Sequence, residues 1–279
     1  MLLTAAFANL IVLLIAFGLF LKSMPILAKK SILHLLLSSS WHPLKGEFGF
    51  YPFIIGTLEV TAIAMILAVP VCLLSAIYLS EYAPKRFREF ARLVIDIMAA
   101  IPSVIYGLWG VIVVVPFVRL LGLTLDILTT GYSLLAGGII LAIMVSPIII
   151  SVSMEVLRSV PIQARETSLA LGTTKWEAIK HVVLRSALHG IFSAIVLGFA
   201  RAFGETIAVL MVVGNVPKVP GSIFDPAYPL PALLANNYGE MMSIPLYNSA
   251  LLLSALILLL VVGAFNVTAH LMLLRIERR

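Results

Sequence analysis

The chain has 279 residues, 61% of them hydrophobic and only 11% charged, with a mean hydropathy of +1.11. Soluble domains carry about 25% charged residues, so this composition excludes a soluble globular protein and implies a polytopic membrane protein with a packed helix bundle as its core. The net charge of +6 fits basic loops on the inner face of a membrane better than a nucleic-acid surface.

A membrane span needs about 20 mainly apolar residues. Six segments qualify: 2–21, 54–79, 93–118, 132–153, 187–213 and 248–274. The expected fold is therefore an all-α integral membrane protein with six transmembrane helices. The first segment has no basic residue before it and no small-residue cleavage site, so it reads as a span and not as a signal peptide. With both termini inside, the inner segments hold twelve lysines and arginines and the outer segments six. The positive-inside rule favours that orientation, while Lys22, Lys29 and Lys30, directly after the first span, argue locally for the reverse. The chain divides into residues 1–50, the first span and its outer loop, and residues 51–279. The larger unit holds spans two to six, an inner loop at 155–186 and an outer loop at 214–247.

Smaller features follow in chain order. Trp41, at the flank of a span, reads as an interface anchor. The lone cysteine, Cys72, excludes an intramolecular disulfide. Asp96 is expected at the inner edge of span three near Arg92, and Pro102 is expected to kink that span. Gly137-Gly138 is expected to allow close helix contact. His34, His42, His181, His189 and His270 form no cluster with carboxylates, so no metal site is expected. The outer loop contains Pro217, Pro220, Pro226, Pro229, Pro231 and Pro245, which excludes a long helix there. A short interfacial helix can form over residues 232–242. No G-x-x-x-x-G-K-[ST] loop occurs, so ATP, if it drives this protein, binds another chain, and no cofactor is expected on this one.

The inner loop between spans four and five is the most polar part of the chain. Pro161 suits a helix start, and Gly172 suits the position just past a helix end. Thr174-Lys175-Trp176-Glu177 has capping-box spacing. Two short helices hinged at Gly172, outside the bilayer, are expected. Leu169, Ala170 and Leu171 would give the hinge an apolar knob flanked by Arg165, Glu166 and Lys175, able to seat in a groove on a partner. The alternative is a solvated loop that caps the bundle.

Span five carries a charged pair, Arg201 and Glu205. A charged side chain near the bilayer centre costs about 2.5–3.5 kcal/mol on insertion scales, and such residues persist where they face protein or a watery path. Positions four apart share a helix face, so the two are expected to pair. At 1.5 Å per residue, Arg201 lies about 21 Å from Ala187 and about 18 Å from Val213, near the midplane. Ala194, Gly198, Arg201, Glu205 and Ala208 would form one face, lined by small residues apart from the pair. The residues alone leave two readings open: a station for polar cargo, or an ion pair stitching span five to its neighbours.

The inner loop resembles the coupling loop of ABC importer permeases, whose pattern is E-A-A, three residues, G, nine residues, then I-x-L-P. Glu166 and Gly172 match, Val182 stands for the isoleucine, and Leu184 matches the leucine. Thr167 and Ser168 replace the alanines, and Arg185 replaces the proline that would set a bend at the entry to span five. The run Gly198-Phe199-Ala200-Arg201-Ala202-Phe203-Gly204-Glu205-Thr206-Ile207-Ala208-Val209 resembles the G-x-x-R-A-x-G-E-T-x-A-V run of phosphate-specific importer permeases. Gly214-Asn215, Ile223-Phe224-Asp225-Pro226, Leu234-Ala235-Asn236 and Gly239-Glu240 are also similar to that family, as is Ala100-Ile101-Pro102-Ser103-Val104-Ile105-Tyr106-Gly107. The similarity covers residues from about 50 to 275 and favours the PstC-type subunit over its PstA-type sister.

This resemblance implies a permease subunit of an ATP-driven inorganic phosphate importer in a prokaryotic plasma (inner) membrane, not itself an enzyme. It implies a second homologous permease subunit, two ATP-binding cassette ATPases inside and a phosphate-binding protein outside. It implies substrate translocation at Arg201, Glu205, Gly198, Gly204 and Thr206. Coupling to the ATPase would fall to Glu166, Thr167, Ser168, Leu169, Ala170, Leu171 and Gly172. A guanidinium suits phosphate because its planar fork donates two parallel hydrogen bonds. Glu205 is expected to hold Arg201 when the path is empty and to keep phosphate binding loose. The alternatives are a permease for molybdate, sulfate or phosphonate, or an ion-coupled secondary transporter, which often shows two similar halves not seen here. A membrane enzyme is disfavoured, because only Arg201 and Glu205 are read as lying well inside a span and they make a poor catalytic set.

Overall fold

A computed structural model describes residues 2–239 and 244–277. Met1, Glu240, the end of the expected 232–242 helix, Arg278 and Arg279 lie outside the described residues. In chain order the helices are α1 (Leu2–Leu27), α2 (Ile32–Leu37), α3 (Tyr51–Ile77), which ends in a π-turn at Tyr78–Tyr82, and α4 (Lys85–Ala100). Then come α5 (Ser103–Trp109), a π-turn at Gly110–Val114, α6 (Val115–Thr124), α7 (Leu134–Ser159) and α8 (Ile162–Ala170). Finally come α9 (Lys175–Ala178), a π-turn at Ile179–Val183, α10 (Leu184–Phe203), α11 (Ile207–Val212), α12 (Leu230–Asn237) and α13 (Pro245–Glu277). Six helical stretches among the described residues are long and apolar enough to cross a membrane, so the six-span, all-helical expectation holds with shifted boundaries.

Span four (α7) is the centre of the bundle, flanked by α3, α4 and α10, while α1 packs along α13. The close approach expected at Gly137-Gly138 is present. A Cβ on Gly138 would sit 2.3 Å from Ile63 Cγ2, and one on Gly137 would sit 2.8 Å from Val60 Cγ2. Small residues let the two backbones approach, and dispersion supplies the attraction that water cannot supply inside lipid.

The start of α7 is sewn to the outer loop. Ser133 caps the helix by accepting from the Ala136 amide at 3.2 Å. The Leu134 amide donates to the Asp225 carbonyl at 3.0 Å and the Leu135 amide to the Ile223 carbonyl at 2.8 Å, so the loop satisfies amides that a helix start leaves orphaned. The Ala227 amide donates to Val213 at 3.0 Å and the Ser133 amide to Val212 at 3.2 Å. Further on, the buried Thr57 hydroxyl oxygen accepts from the Leu230 amide at 2.9 Å.

Four expectations need correction here. Residues 93–118 do not form one kinked span. The chain leaves the helix at Ile101 (ψ 127°) and Pro102 (ψ 142°), because a residue preceding proline is pushed out of the α region. The basic helix α4 therefore lies outside the third apolar stretch, which runs from Ser103 to Thr124, and Asp96 sits on α4 and not at the edge of span three. Trp41 is a packing residue, its ring centroid 4.7 Å from that of Phe53 and 5.6 Å from that of Phe48. The short outer helix begins at Leu230, and its first turn is buried through Leu230, Ala232 and Leu233 instead of lying at an interface.

Candidate functional site

Span five is broken where the charged residues lie. The helix that begins at Lys175 ends at Phe203, with Gly204 as its C-cap, and Thr206 starts the six-residue α11. Gly204 lacks the side chain that favours helix, and the β-branched Thr206 turns its hydroxyl back to the Gly204 carbonyl at 3.3 Å. The last turn tightens, with the Gly204 amide donating to Ala200 and the Glu205 amide to Ala202, both at 3.3 Å. The break lies about 26 Å along the axis from Ala187, within the apolar depth of a bilayer. Irregular backbone at that depth is tolerated only against protein or beside a watery cavity.

The expected Arg201–Glu205 pair does not form. Among the described residues the close contacts between basic and acidic side chains are His42–Glu47 and Arg165–Glu81. Pairing at four-residue spacing needs an unbroken helix between the partners, and Glu205 already stands outside one. Arg201 is exposed on the surface of the chain, while Glu205 and Thr206 are half-buried. The expected single face also divides. Ala194, Gly198 and Ala202 are buried, and a Cβ on Gly198 would lie 2.6 Å from Ile149 Cγ1, so Gly198 marks the α10–α7 contact. Gly204 has open space: an added Cβ would meet nothing nearer than the Ala200 carbonyl oxygen at 3.7 Å.

The start of span three lies beside the break in span five. Helix α5 packs on α11, where a Cβ on Gly107 would sit 3.1 Å from Ala208 Cα. The Tyr106 hydroxyl donates to the Met98 carbonyl at 2.8 Å, tying the end of α4 to the start of the apolar stretch across Ile101-Pro102. The start of span three, with exposed Val104, Ile105 and Leu108 on α5, thus packs beside the break in span five.

A second carboxylate inside a span corrects the expectation that only Arg201 and Glu205 lie there. Glu59 is on α3, with its Oε2 atom buried and unpartnered, and it lines a cavity of about 320 Å³ with Ala62, Ile63, Leu134 and residues 220–223. A lone acid in an apolar run was the signal that could have found it, the same signal that singled out Arg201.

The inner loop forms a helix pair, with one difference from expectation. Thr174 and Glu177 make the capping box, the Glu177 amide donating to Thr174 Oγ1 at 3.3 Å and the Thr174 amide to Glu177 Oε2 at 2.7 Å. Gly172 has φ +85°, a conformation that glycine takes without strain. The second arm is not a separate short helix. It runs on through the π-turn into span five with no gap in the helix, and Arg185, in place of a proline, leaves that path open. Of the proposed knob, Leu171 is 81% exposed and Leu169 46%, while Ser168 is buried against Thr173, the two hydroxyls 2.8 Å apart.

An exposed charge, Arg201, thus stands at the end of α10 beside the break in span five. The chain belongs to the family of binding-protein-dependent transport system inner membrane components, whose pattern matches residues 68–279. It is an ABC importer permease, a transport component and not an enzyme. Its relatives include the phosphate transport system permease protein PstC of Xylella fastidiosa (strain 9a5c), 38% identical over 257 residues that cover 87% of this chain and 79% of the relative. The probable ABC transporter permease protein YqgH of Bacillus subtilis (strain 168) is 38% identical over 231 residues, covering 82% of this chain and 74% of that one. PstC 1 of Mycobacterium tuberculosis is 34% identical over 255 residues, covering 85% and 75%. Among solved structures, the inward-facing MetNI methionine ABC transporter aligns with a TM-score of 0.61 at 19% identity, covering 79% of this chain and 93% of that one. An amino acid ABC transporter crystallised with histidines aligns with a TM-score of 0.57 at 18% identity, covering 81% and 93%. These structural likenesses establish the fold alone.

Proposed function

We propose that this chain forms half of the translocation path of an ATP-driven inorganic phosphate importer in a prokaryotic inner membrane, with both termini on the cytoplasmic side. The observation that carries the reading is Arg201: exposed, without a carboxylate partner among the described residues, and placed at the break in span five beside the start of span three. A guanidinium stays charged when dehydrated and offers two parallel donors to paired phosphate oxygens. Gly204 leaves room beside it, and Thr206 adds a hydroxyl at the break. Gly198 acts one step back, fixing the helix that carries Arg201. Glu205 lowers affinity through its charge, so that an anion that enters can also leave.

The partner set follows from the surfaces left open. Lipid is a poor cover for Arg201, so a second homologous permease subunit closes the site. The exposed Leu169 and Leu171, with Glu166 to Gly172, form the contact for an ATP-binding cassette ATPase, one on each permease. A phosphate-binding protein delivers cargo at the opposite end. The experiment is reconstitution of the chain with its partners in proteoliposomes, followed by ATP-dependent uptake of labelled phosphate against sulfate and molybdate. Phosphate uptake that the other oxyanions do not compete away is the expected result; uptake of sulfate or molybdate in preference, or transport that survives without ATP, overturns it.

A further inference from the structure

Both arms of the inner helix pair hold the same short piece of span two. From α8, Arg165 Nη2 reaches Glu81 Oε1 at 3.1 Å, with the Glu81 side chain only 6% exposed and that of Arg165 24%. From α9, the Lys175 ammonium lies over the Tyr82 ring, 4.4 Å from its centroid. Glu81 and Tyr82 are adjacent, and both belong to the Tyr78–Tyr82 π-turn that ends span two. The grip extends further. Arg165 Nη2 also donates to the Leu157 carbonyl near the end of α7 at 2.6 Å, and the Ser80 hydroxyl donates to Glu81 Oε1 at 2.8 Å. Beneath the pair, Leu79 and Ala83 pack with Leu157, Val160 and Val183.

We infer that the Tyr78–Tyr82 turn is where motion of the inner helix pair enters the membrane bundle, with Arg165 and Glu81 as the positioning residues that transmit it to spans two and four. The helix α8 then works as a short strut. Its apolar knob at Leu171 lies about 9 Å along the axis from Arg165, one end free for a partner and the other locked to the bundle. A partly desolvated pair suits the task, because removing one member strands the other charge and breaks the connection outright. Lys175 over Tyr82 is a weaker second tie that stops the two arms from hinging apart at Gly172. The inference rests on the ATPase docking proposed above and is independent of which anion is carried.

The test uses no cargo. The full complex carries Cys72→Ser and Gly204→Cys, so that a maleimide reports access to the break in span five with and without trapped ATP. A several-fold change in labelling rate between the two states is expected in this parent. Glu81→Gln should bring that ratio close to unity while ATP hydrolysis continues. Arg165→Lys should give an intermediate ratio, and Tyr82→Leu a smaller loss in the same direction. A loss of stability alone would lower the melting temperature and leave the ratio unchanged. The inference is overturned if Glu81→Gln and Arg165→Lys keep the parent ratio, or if the parent shows no nucleotide-dependent change. Should Glu81→Gln fail to assemble with the ATPase, Arg165→Lys and Tyr82→Leu decide by the same criterion. Failure of phosphate uptake would overturn the cargo assignment and leave this result standing.

Discussion

One methyl group at Gly138 tests how tightly spans two and four are held. The Cβ of Gly138→Ala would sit 2.3 Å from Ile63 Cγ2, 2.9 Å from Ile63 Cβ and 3.5 Å from the Ala64 nitrogen. Carbon atoms in good contact lie about 3.5–4.0 Å apart. Rotation of Ile63 about χ1 moves its Cγ2 away but leaves its Cβ in place, so the backbones must separate by roughly 0.6 Å to restore contact distance. Overpacking of this kind costs about 1–3 kcal/mol. At about 2–4 °C per kcal/mol for a chain of this size, the melting temperature should fall by roughly 2–12 °C. Gly263 supplies the control, because an added Cβ there meets nothing within 4 Å. Gly263→Ala replaces a mid-helix glycine by a better helix former, a gain of about 0.5–1 kcal/mol, so its melting temperature should hold or rise. The same atom thus has opposite signs at two sites. Thermal unfolding of the detergent-purified variants is the assay, and Ile63→Ala added to Gly138→Ala should restore part of the loss. Equal shifts in both glycine variants, or a Gly138→Ala protein that melts with the parent, would refute the packing argument.

Arg201→Lys keeps the charge but loses the planar fork. With a charge-assisted hydrogen bond worth about 1.5–3 kcal/mol, phosphate uptake at low concentration should fall roughly tenfold or more; full-rate uptake by an assembled complex would sink the forked-recognition idea. Thr57→Val leaves the Leu230 amide buried without its acceptor and should cost about 1–3 kcal/mol in thermal stability, with Thr57→Ser recovering most of it. Thr174→Ala removes the hydroxyl side of the capping box, a local loss of about 1 kcal/mol that should appear as faster amide exchange over 174–178 with little change in the global melt.

Hydropathy made the six spans legible because lipid leaves the backbone few options. The interruptions were harder to read. Across Ala202-Phe203-Gly204-Glu205-Thr206 the helical spacing of small and apolar residues continues, and one glycine costs a helix only about 1 kcal/mol. What ends the helix is the tightened last turn and the packing of α11 against α5, contacts between residues a hundred positions apart. Pro102 was visible as a disturbance, but the Tyr106 hydroxyl that bridges the gap to Met98 was not. The helix pair was legible from its cap residues. The fusion of its second arm to span five could have been read from Arg185, since no proline stood there to stop the helix. The meeting of Arg165 and Lys175 with Glu81 and Tyr82 joins segments roughly 85–95 residues apart, a distance at which local spacing says nothing.

The stitches between the outer loop and the start of span four limit how this protein can open. Peeling the 220–228 strap back like a hinged cover would strip partners from Leu134, Leu135 and Ala227 together and leave their amides bare. Opening from that side with those bonds kept would require whole rods to tilt with the strap still fastened.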